Sequence, residues 1–197
     1  MAVDESLETA RLRGARVHVG DFAAYFALFR DPRVTATLTV DGQPLAEEVA
    51  RERFAAKLAN WERDGFGLWF FRERDTGRFV GYCGLQPSGH GDTATVELLY
   101  AALPEHWGRG LTSEMAAAVL RVGFAQLGLD EVVSYALPTN VASHRVMEKQ
   151  GFRYERDIVH AGLPHRFFRV TRNEWRRTGG VPSAECRGGT DPSLRSG

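Results

Sequence analysis

Cysteine is nearly missing from this chain. Its 197 residues hold two, Cys83 in an apolar run and Cys186 in a polar one. So wide a separation excludes a disulfide framework and fits the reduced thiols of a cytosolic protein. Net charge of one sign is missing too: 25 Lys and Arg offset 25 Asp and Glu, for a formal charge of zero. Blanket attraction to nucleic acid or to an anionic membrane is thereby excluded, and recognition by charge must be local. No apolar run approaches the roughly 20 residues of a membrane-spanning helix. Met1-Ala2-Val3-Asp4-Glu5 lacks the basic and apolar regions of a secretory signal, so the expected compartment is the cytoplasm. The histidines have no metal-ligand spacing, and no metal is expected. What is present, 43% hydrophobic and 25% charged residues, is ordinary for one globular domain with a substantial core.

Periodicity and turn chemistry order the elements. Residues 9–19, with Leu12 and Val17, predict a strand, and Asp21 caps a helix reaching Phe29. An irregular stretch from Asp31-Pro32 to Pro44 precedes Ala50, Phe54, Leu58 and Trp61, which recur at helical spacing as one buried face. Residues 68–71 and 79–85 flank Asp75-Thr76-Gly77 as an antiparallel hairpin. The loop at 89–92 leads to a strand over 95–103. Leu111, Met115, Ala118, Val119 and Val122 then mark a helix that ends near Gly128. A strand over 132–137, an N-cap at Asn140, a left-handed Gly151 and a hairpin of 154–160 with 166–171 complete the pattern. Residues 95–137 form a βαβ unit with parallel strands, whereas both hairpins are antiparallel, so a mixed sheet in an α/β domain is expected. That domain spans residues 1–177. The Gly- and Pro-rich segment 178–197 is expected to be a disordered tail. Trp61, Trp69 and Trp175 belong to the core or its rim, and Cys83 is expected to be inert.

The segment with the most chemistry runs from Val96 to Val122. A strand meets Pro104, turns through Glu105-His106-Trp107-Gly108-Arg109-Gly110 and enters a helix. Glycines let a ligand approach the backbone, and the unpaired N–H groups of the first helical turn, with the helix dipole, favour phosphate there. Arg109 can supplement those donors. A dinucleotide fingerprint needs a third glycine that does not follow Gly110, and Ser113 stands in that stretch instead. A Walker loop needs Gly-Lys-Ser or Gly-Lys-Thr, which 108–112 does not supply.

Four motifs narrow the choice. They are Glu8-Thr9-Ala10-Arg11-Leu12; Glu97-Leu98-Leu99-Tyr100 continuing through Pro104-Glu105-His106-Trp107-Gly108-Arg109-Gly110-Leu111-Thr112-Ser113-Glu114; Asn140-Val141-Ala142-Ser143-His144-Arg145-Val146-Met147-Glu148-Lys149-Gln150-Gly151-Phe152; and Thr171-Arg172-Asn173-Glu174-Trp175. Over residues 7–176 the chain resembles the Gcn5-related N-acetyltransferase (GNAT) family, in particular its ribosomal-protein-alanine acetyltransferase-like branch. The resemblance implies a mixed, mostly antiparallel twisted sheet with a splayed parallel strand pair and helices on both faces. It implies acetyl-CoA as cosubstrate, its pyrophosphate held by Trp107, Gly108, Arg109, Gly110, Leu111 and Thr112. The pantetheine arm would bond strand backbone near Ala101 and Leu103, with Asn140 and Arg145 close by. Glu105 departs from the Gln or Arg that often begins this loop, so Arg109 and backbone groups should carry more of the phosphate contact.

Acetyl transfer to an amine needs a deprotonated nucleophile, a stabilised oxyanion and an outlet for the thiolate. Glu97, a carboxylate inside an apolar strand, is the candidate general base, acting through water; the competing reading is that it orders loops or pairs with an arginine. Many relatives carry a tyrosine where Met147 stands, so Ser143 becomes the candidate donor to the leaving thiolate. Its alternative role is to satisfy the helix N-terminus. Asn140 reads as a cap, and Arg145 and Lys149 as phosphate contacts or a solvated face. An α-amine near pKa ~7.8 asks far less of a base than a lysine near ~10.4. The favoured acceptor is the N-terminal amine of a protein; a small-molecule amine is the alternative, and a catalytically inactive acyl-CoA binding module is suggested by Met147 and Glu105. The acceptor cleft is expected between residues 31–45 and 157–166, with Arg33, Asp41, His160 and His165 as polar candidates. The chain would act as a monomer or homodimer.

Overall fold

The structure, a computed structural model, describes residues 3–90 and 95–178. Cys186, the tail beyond Thr178 and part of the 89–92 loop lie outside the described residues. The described strands are β1 (Ser6–Glu8), β2 (Leu12–Arg16), β3 (Leu68–Glu73), β4 (Phe79–Pro87), β5 (Val96–Ala102), β6 (Glu131–Ala136), β7 (Arg153–His160) and β8 (Leu163–Thr171). They form one sheet in the order β1-β2-β3-β4-β5-β6-β8-β7. Only β5 and β6 run parallel, the ends of the predicted βαβ unit. The mixed, mostly antiparallel sheet with one parallel pair is therefore the fold.

Helices cover both faces. On one side α1 (Phe22–Arg30) and α3 (Glu47–Asp64) bring Tyr25 and Phe54 against Phe70 and Tyr82, with ring centroids 6.1–6.5 Å apart between helix and sheet. On the other side lie α4 (Leu111–Arg121) and the π-helical turn that follows it, where Gly123 fits against Leu85 and Val132. Trp61, Trp69 and Trp175 are core residues, and Cys83 is fully buried, its thiol pushed up by that burial.

Several boundaries differ from expectation. Of the strand predicted over 9–19 only Leu12–Arg16 is extended, because the Thr9 hydroxyl donates to Leu12 O (3.1 Å) and accepts from Leu12 N–H (2.9 Å), closing a turn between β1 and β2. Asp21 makes no cap bond to α1. Its carboxylate instead accepts from His18 N–H (2.9 Å) in a capping box around the 3-10 turn Val19–Asp21. Asp31 accepts from Arg33 N–H (2.9 Å) and starts α2 (Pro32–Thr35) inside the stretch expected to be irregular. Asn140 caps α5 (Val141–Lys149) as predicted, its side chain accepting from Ser143 N–H (3.1 Å). Gly128 and Gly151 are left-handed, with φ of 69° and 87°. Thr171 and Glu174 form a capping box on α6 (Arg172–Arg177).

Candidate active site

The turn after β5 is shaped by two left-handed glycines, Gly108 (φ 72°) and Gly110 (φ 74°), a backbone that other residues resist. Among the described residues none supplies an acceptor to the backbone N–H groups of Gly108, Arg109, Gly110, Leu111, Thr112 or Ser113, and Glu114 N–H is the first to close a helical bond, to Gly110 O (3.1 Å). A Cβ on Gly108 would meet no protein atom within 4 Å. A row of free donors at a helix N-terminus, open in front, fits a pyrophosphate. The turn is clasped from behind: Glu114 accepts from Thr9 Oγ1 (2.6 Å), Arg11 N–H (2.8 Å) and Arg11 Nε (2.7 Å), while the Arg11 guanidinium also donates to Arg109 O (2.9 Å). Burial pushes the Glu114 carboxyl up, but those donors outweigh it and hold the group below its usual range.

Not every expected phosphate contact is present in side-chain form. The Arg109 guanidinium pairs with Glu73 (2.9 Å) and bonds His106 Nδ1 (3.0 Å), which turns it toward the β3–β4 end. Leu111 is buried in the core and offers only its N–H. Arg145 is exposed and does not line the cavity, since two helical residues place it roughly 200° around α5 from Ser143. Trp107 and Thr112 do line it, and Trp107 Nε1 donates to Ala102 O (2.8 Å).

β5 and β6 touch at one register pair, Glu97 opposite Val133, beside a bond from Ser134 Oγ to Leu98 O (2.8 Å). Beyond it the strands part, and a cavity of about 730 Å³ enters between them. The backbone groups expected to face this notch are offset by one residue. Leu103 N–H donates to Val80 O (2.9 Å) and Ala101 O lies against Gly81, so both belong to the β4 edge. Strand alternation therefore gives the notch to Tyr100 and Ala102.

Ser143 lies on the cavity wall with its Oγ 2.9 Å from Tyr100 Oη, which also donates to Ser143 O (3.1 Å). Its hydroxyl thus bonds a phenol, not the helix N-terminus that Asn140 already caps. Met147 is fully buried and faces the core.

Glu97 is 6% exposed. Its Oε2 accepts from Gln86 Nε2 (2.9 Å) and Tyr135 Oη (2.9 Å), and Lys57 Nζ donates to Gln86 Oε1 (2.6 Å). Among the described residues no donor takes Oε1. Burial raises the Glu97 carboxyl above its usual range, against the opposing pull of Gln86, Tyr135 and Lys57. Gln86, Tyr135, Lys57 and Tyr100 had escaped the sequence, for their partners lie 11 to 43 residues away across strands or helices. Alternation along β5 and β6 was the one available signal.

Toward the side expected to take the acceptor, Tyr135 meets three histidines. His90 Nε2 and His160 Nδ1 are 2.8 Å apart, and His165 and His160 stand edge to face. Burial, with His165 and His90 beside it, lowers His160. Arg33, His160 and His165 line the cavity as expected, whereas Asp41 closes a local turn on Gln43 N–H (3.0 Å) and does not. No three His, Cys, Asp or Glu side chains among the described residues could hold a metal ion. No described helix is long and apolar enough to cross a membrane.

A turn with free N–H donors at one end of a splayed strand pair and a buried carboxylate at the other suit an acyl-CoA-dependent transferase. Residues 11–153 match the family model described as an acetyltransferase (GNAT) domain. The chain belongs to the GNAT family, the acetyl-CoA-dependent N-acetyltransferases. It is 31% identical to YkkB of Bacillus subtilis, over 80% of this chain and 91% of that one. It is 32% identical to the Aspergillus fumigatus FsC-acetyl coenzyme A-N(2)-transacetylase, over 87% and 78%. An acetyltransferase structure from Agrobacterium tumefaciens superposes with a TM-score of 0.72 at 28% identity, covering 84% of this chain and 93% of that one. Mycobacterium smegmatis RimJ, in complex with CoA-disulfide, shares the fold at 19% identity, with a TM-score of 0.68 over 85% and 87%.

Proposed function

We propose that this domain, residues 1–177, transfers acetyl from acetyl-CoA to an α-amine, with Glu97 as general base and the Ser143–Tyr100 hydroxyl pair as donor to the departing thiolate. The observation that carries it is the asymmetry of Glu97. Two donors fix Oε2 and leave Oε1 to take a proton from the incoming amine, directly or through one water. A carboxylate raised by burial is a stronger base than an exposed one, yet still weak beside a lysine amine. That mismatch favours an α-amine. The resemblance to the ribosomal-protein-alanine branch supports a protein N-terminus as its bearer. A small molecule is the second reading, favoured by the relative named for N(2) transacetylation.

On this assignment the backbone N–H groups of 108–113 and the side of Trp107 hold the cosubstrate's phosphates, and Tyr100 and Ala102 present the strand edge to its pantetheine arm. Nitrogen attacks the thioester carbonyl, its proton passes to Glu97, the carbon–sulfur bond breaks, and the thiolate is met by Ser143. Thiol release from acetyl-CoA tests it. An Ala-Gln amide dipeptide should be acetylated at least about tenfold faster at pH 7 than Nα-acetyl-lysine, following the difference in deprotonated fraction. Preference for the lysine ε-amine would overturn the α-amine assignment.

A further inference from the structure

The acceptor side of the cavity is mainly positive, with Glu97 on its wall and Asp41 just off it, held low by the Gln43 N–H and in smaller part by Arg53. Helix α3 turns Arg53, Ala56 and Lys57 toward it, positions one turn apart on a single face, and Ala56 leaves the space between the two cations open. Glu97 is the only carboxylate among the described residues lining it. Among the described residues neither Arg53 nor Lys57 has an ion-pair partner, in contrast to Arg33, which is held by Asp31. Lys57 reaches only the amide oxygen of Gln86. Arg53 also lines a second cavity of about 260 Å³ that opens beneath Thr37–Val40 and the β7–β8 turn, where no acidic side chain is present among the lining residues.

We infer that the acceptor is an anionic α-amine: it carries a carboxylate that Arg53 and Lys57 recognise while the amine sits at Glu97. The inference rests on the proposed function and deepens it. A guanidinium that forms no salt bridge among the described residues and sits at the junction of two cavities offers a carboxylate two parallel hydrogen bonds, stronger than those between neutral groups. Lys57, tied to Gln86 and through it to Glu97, adds positive charge beside the base. The same pair of cations repels polyamines and other polycationic amines, so the arrangement selects by exclusion as well as by attraction.

Thiol release with Ala-Glu, Ala-Gln and Ala-Lys amide dipeptides tests it. The glutamate peptide should exceed its uncharged glutamine counterpart by about tenfold or more in kcat/KM, chiefly through KM, and the lysine peptide should be poorest. Arg53→Gln should collapse the acid-to-amide ratio toward one, and Arg53→Glu should invert the order of the glutamate and lysine peptides. Arg53 is solvent-exposed, so both variants should fold, which thermal melting checks. Equal turnover of acids and amides, or a ratio unmoved by Arg53→Gln, overturns the inference and leaves the α-amine assignment standing. Should no amine turn over, the proposed function falls. The charge question is then read from product binding with CoA present: N-acetyl-Ala-Glu amide should raise Tm more than N-acetyl-Ala-Gln amide, and equal shifts would overturn the inference.

Discussion

At the scale of single residues the site turns on how Glu97 is held. As the proposed base it would act deprotonated, so kcat/KM should rise with pH as its carboxyl ionises, at a midpoint that burial holds above the ordinary ~4.3. A second ascending limb belongs to the acceptor amine near ~7.8. Tyr135 donates to the carboxylate and so favours its charged form. Tyr135→Phe should therefore move the lower limb upward by about one pH unit, since a hydrogen bond to a charged group is worth about 1.5 kcal/mol and one unit about 1.4 kcal/mol. Glu97→Gln should abolish that limb and keep the amine's. A Glu97→Gln profile with both limbs intact would remove Glu97 from proton transfer. A charged residue inside an apolar strand stands out in a sequence, which is why Glu97 was legible. Tyr135 and Gln86 were not, because only the β5–β6 and β4–β5 registers bring them to its oxygen.

At the scale of elements, turn chemistry was legible and short pieces were not. Asp75-Thr76-Gly77, Asn140 and Gly151 each carry a local reason for their conformation, and each element falls where that reason puts it. A three-residue strand such as β1 has no period to detect, and the choice between Asp21 and His18 as cap depends on a neighbouring turn. Which strand edge faces β4 and which faces the notch is set by pairing, so Ala101 and Leu103, expected to face the notch, turn their backbone groups to β4. The glycine turn gives a controlled comparison. Gly108 and Gly128 are both left-handed (φ 72° and 69°), and a Cβ on either would meet nothing within 4 Å. Replacing each with Ala should cost similar stability, about 1–2 kcal/mol for the strained backbone. Only Gly108→Ala places a methyl where the phosphate is proposed to approach, so it alone should weaken CoA binding, by roughly tenfold or more for a loss of about 1.4 kcal/mol. Isothermal titration of the two variants decides; equal affinities would take the pyrophosphate away from this turn.

The whole molecule is two antiparallel half-sheets, β1–β5 and β6–β8, that meet at one register pair and the Ser134–Leu98 bond. Helices α4 and α5 pack on each other across the join, but past Leu99 the strand edges share no ladder. The same parting that admits a cosubstrate leaves this seam the least supported line in the sheet. A ligand whose phosphates bind the start of α4 and whose arm runs along Tyr100 and Ala102 toward Ser143 on α5 would therefore bridge the halves. CoA at a hundred times its Kd should stabilise the fold by about 2.7 kcal/mol, raising Tm by roughly 5–10 °C for a chain of this size. The gain should be local. Amide exchange should slow in β5 beyond Leu99, in residues 108–113 and in the first turn of α5, while β1 and β7, at the outer edges, keep the rates of the free protein. Protection spread evenly over the sheet, or confined to one half, would mean that the cosubstrate does not lie across the seam.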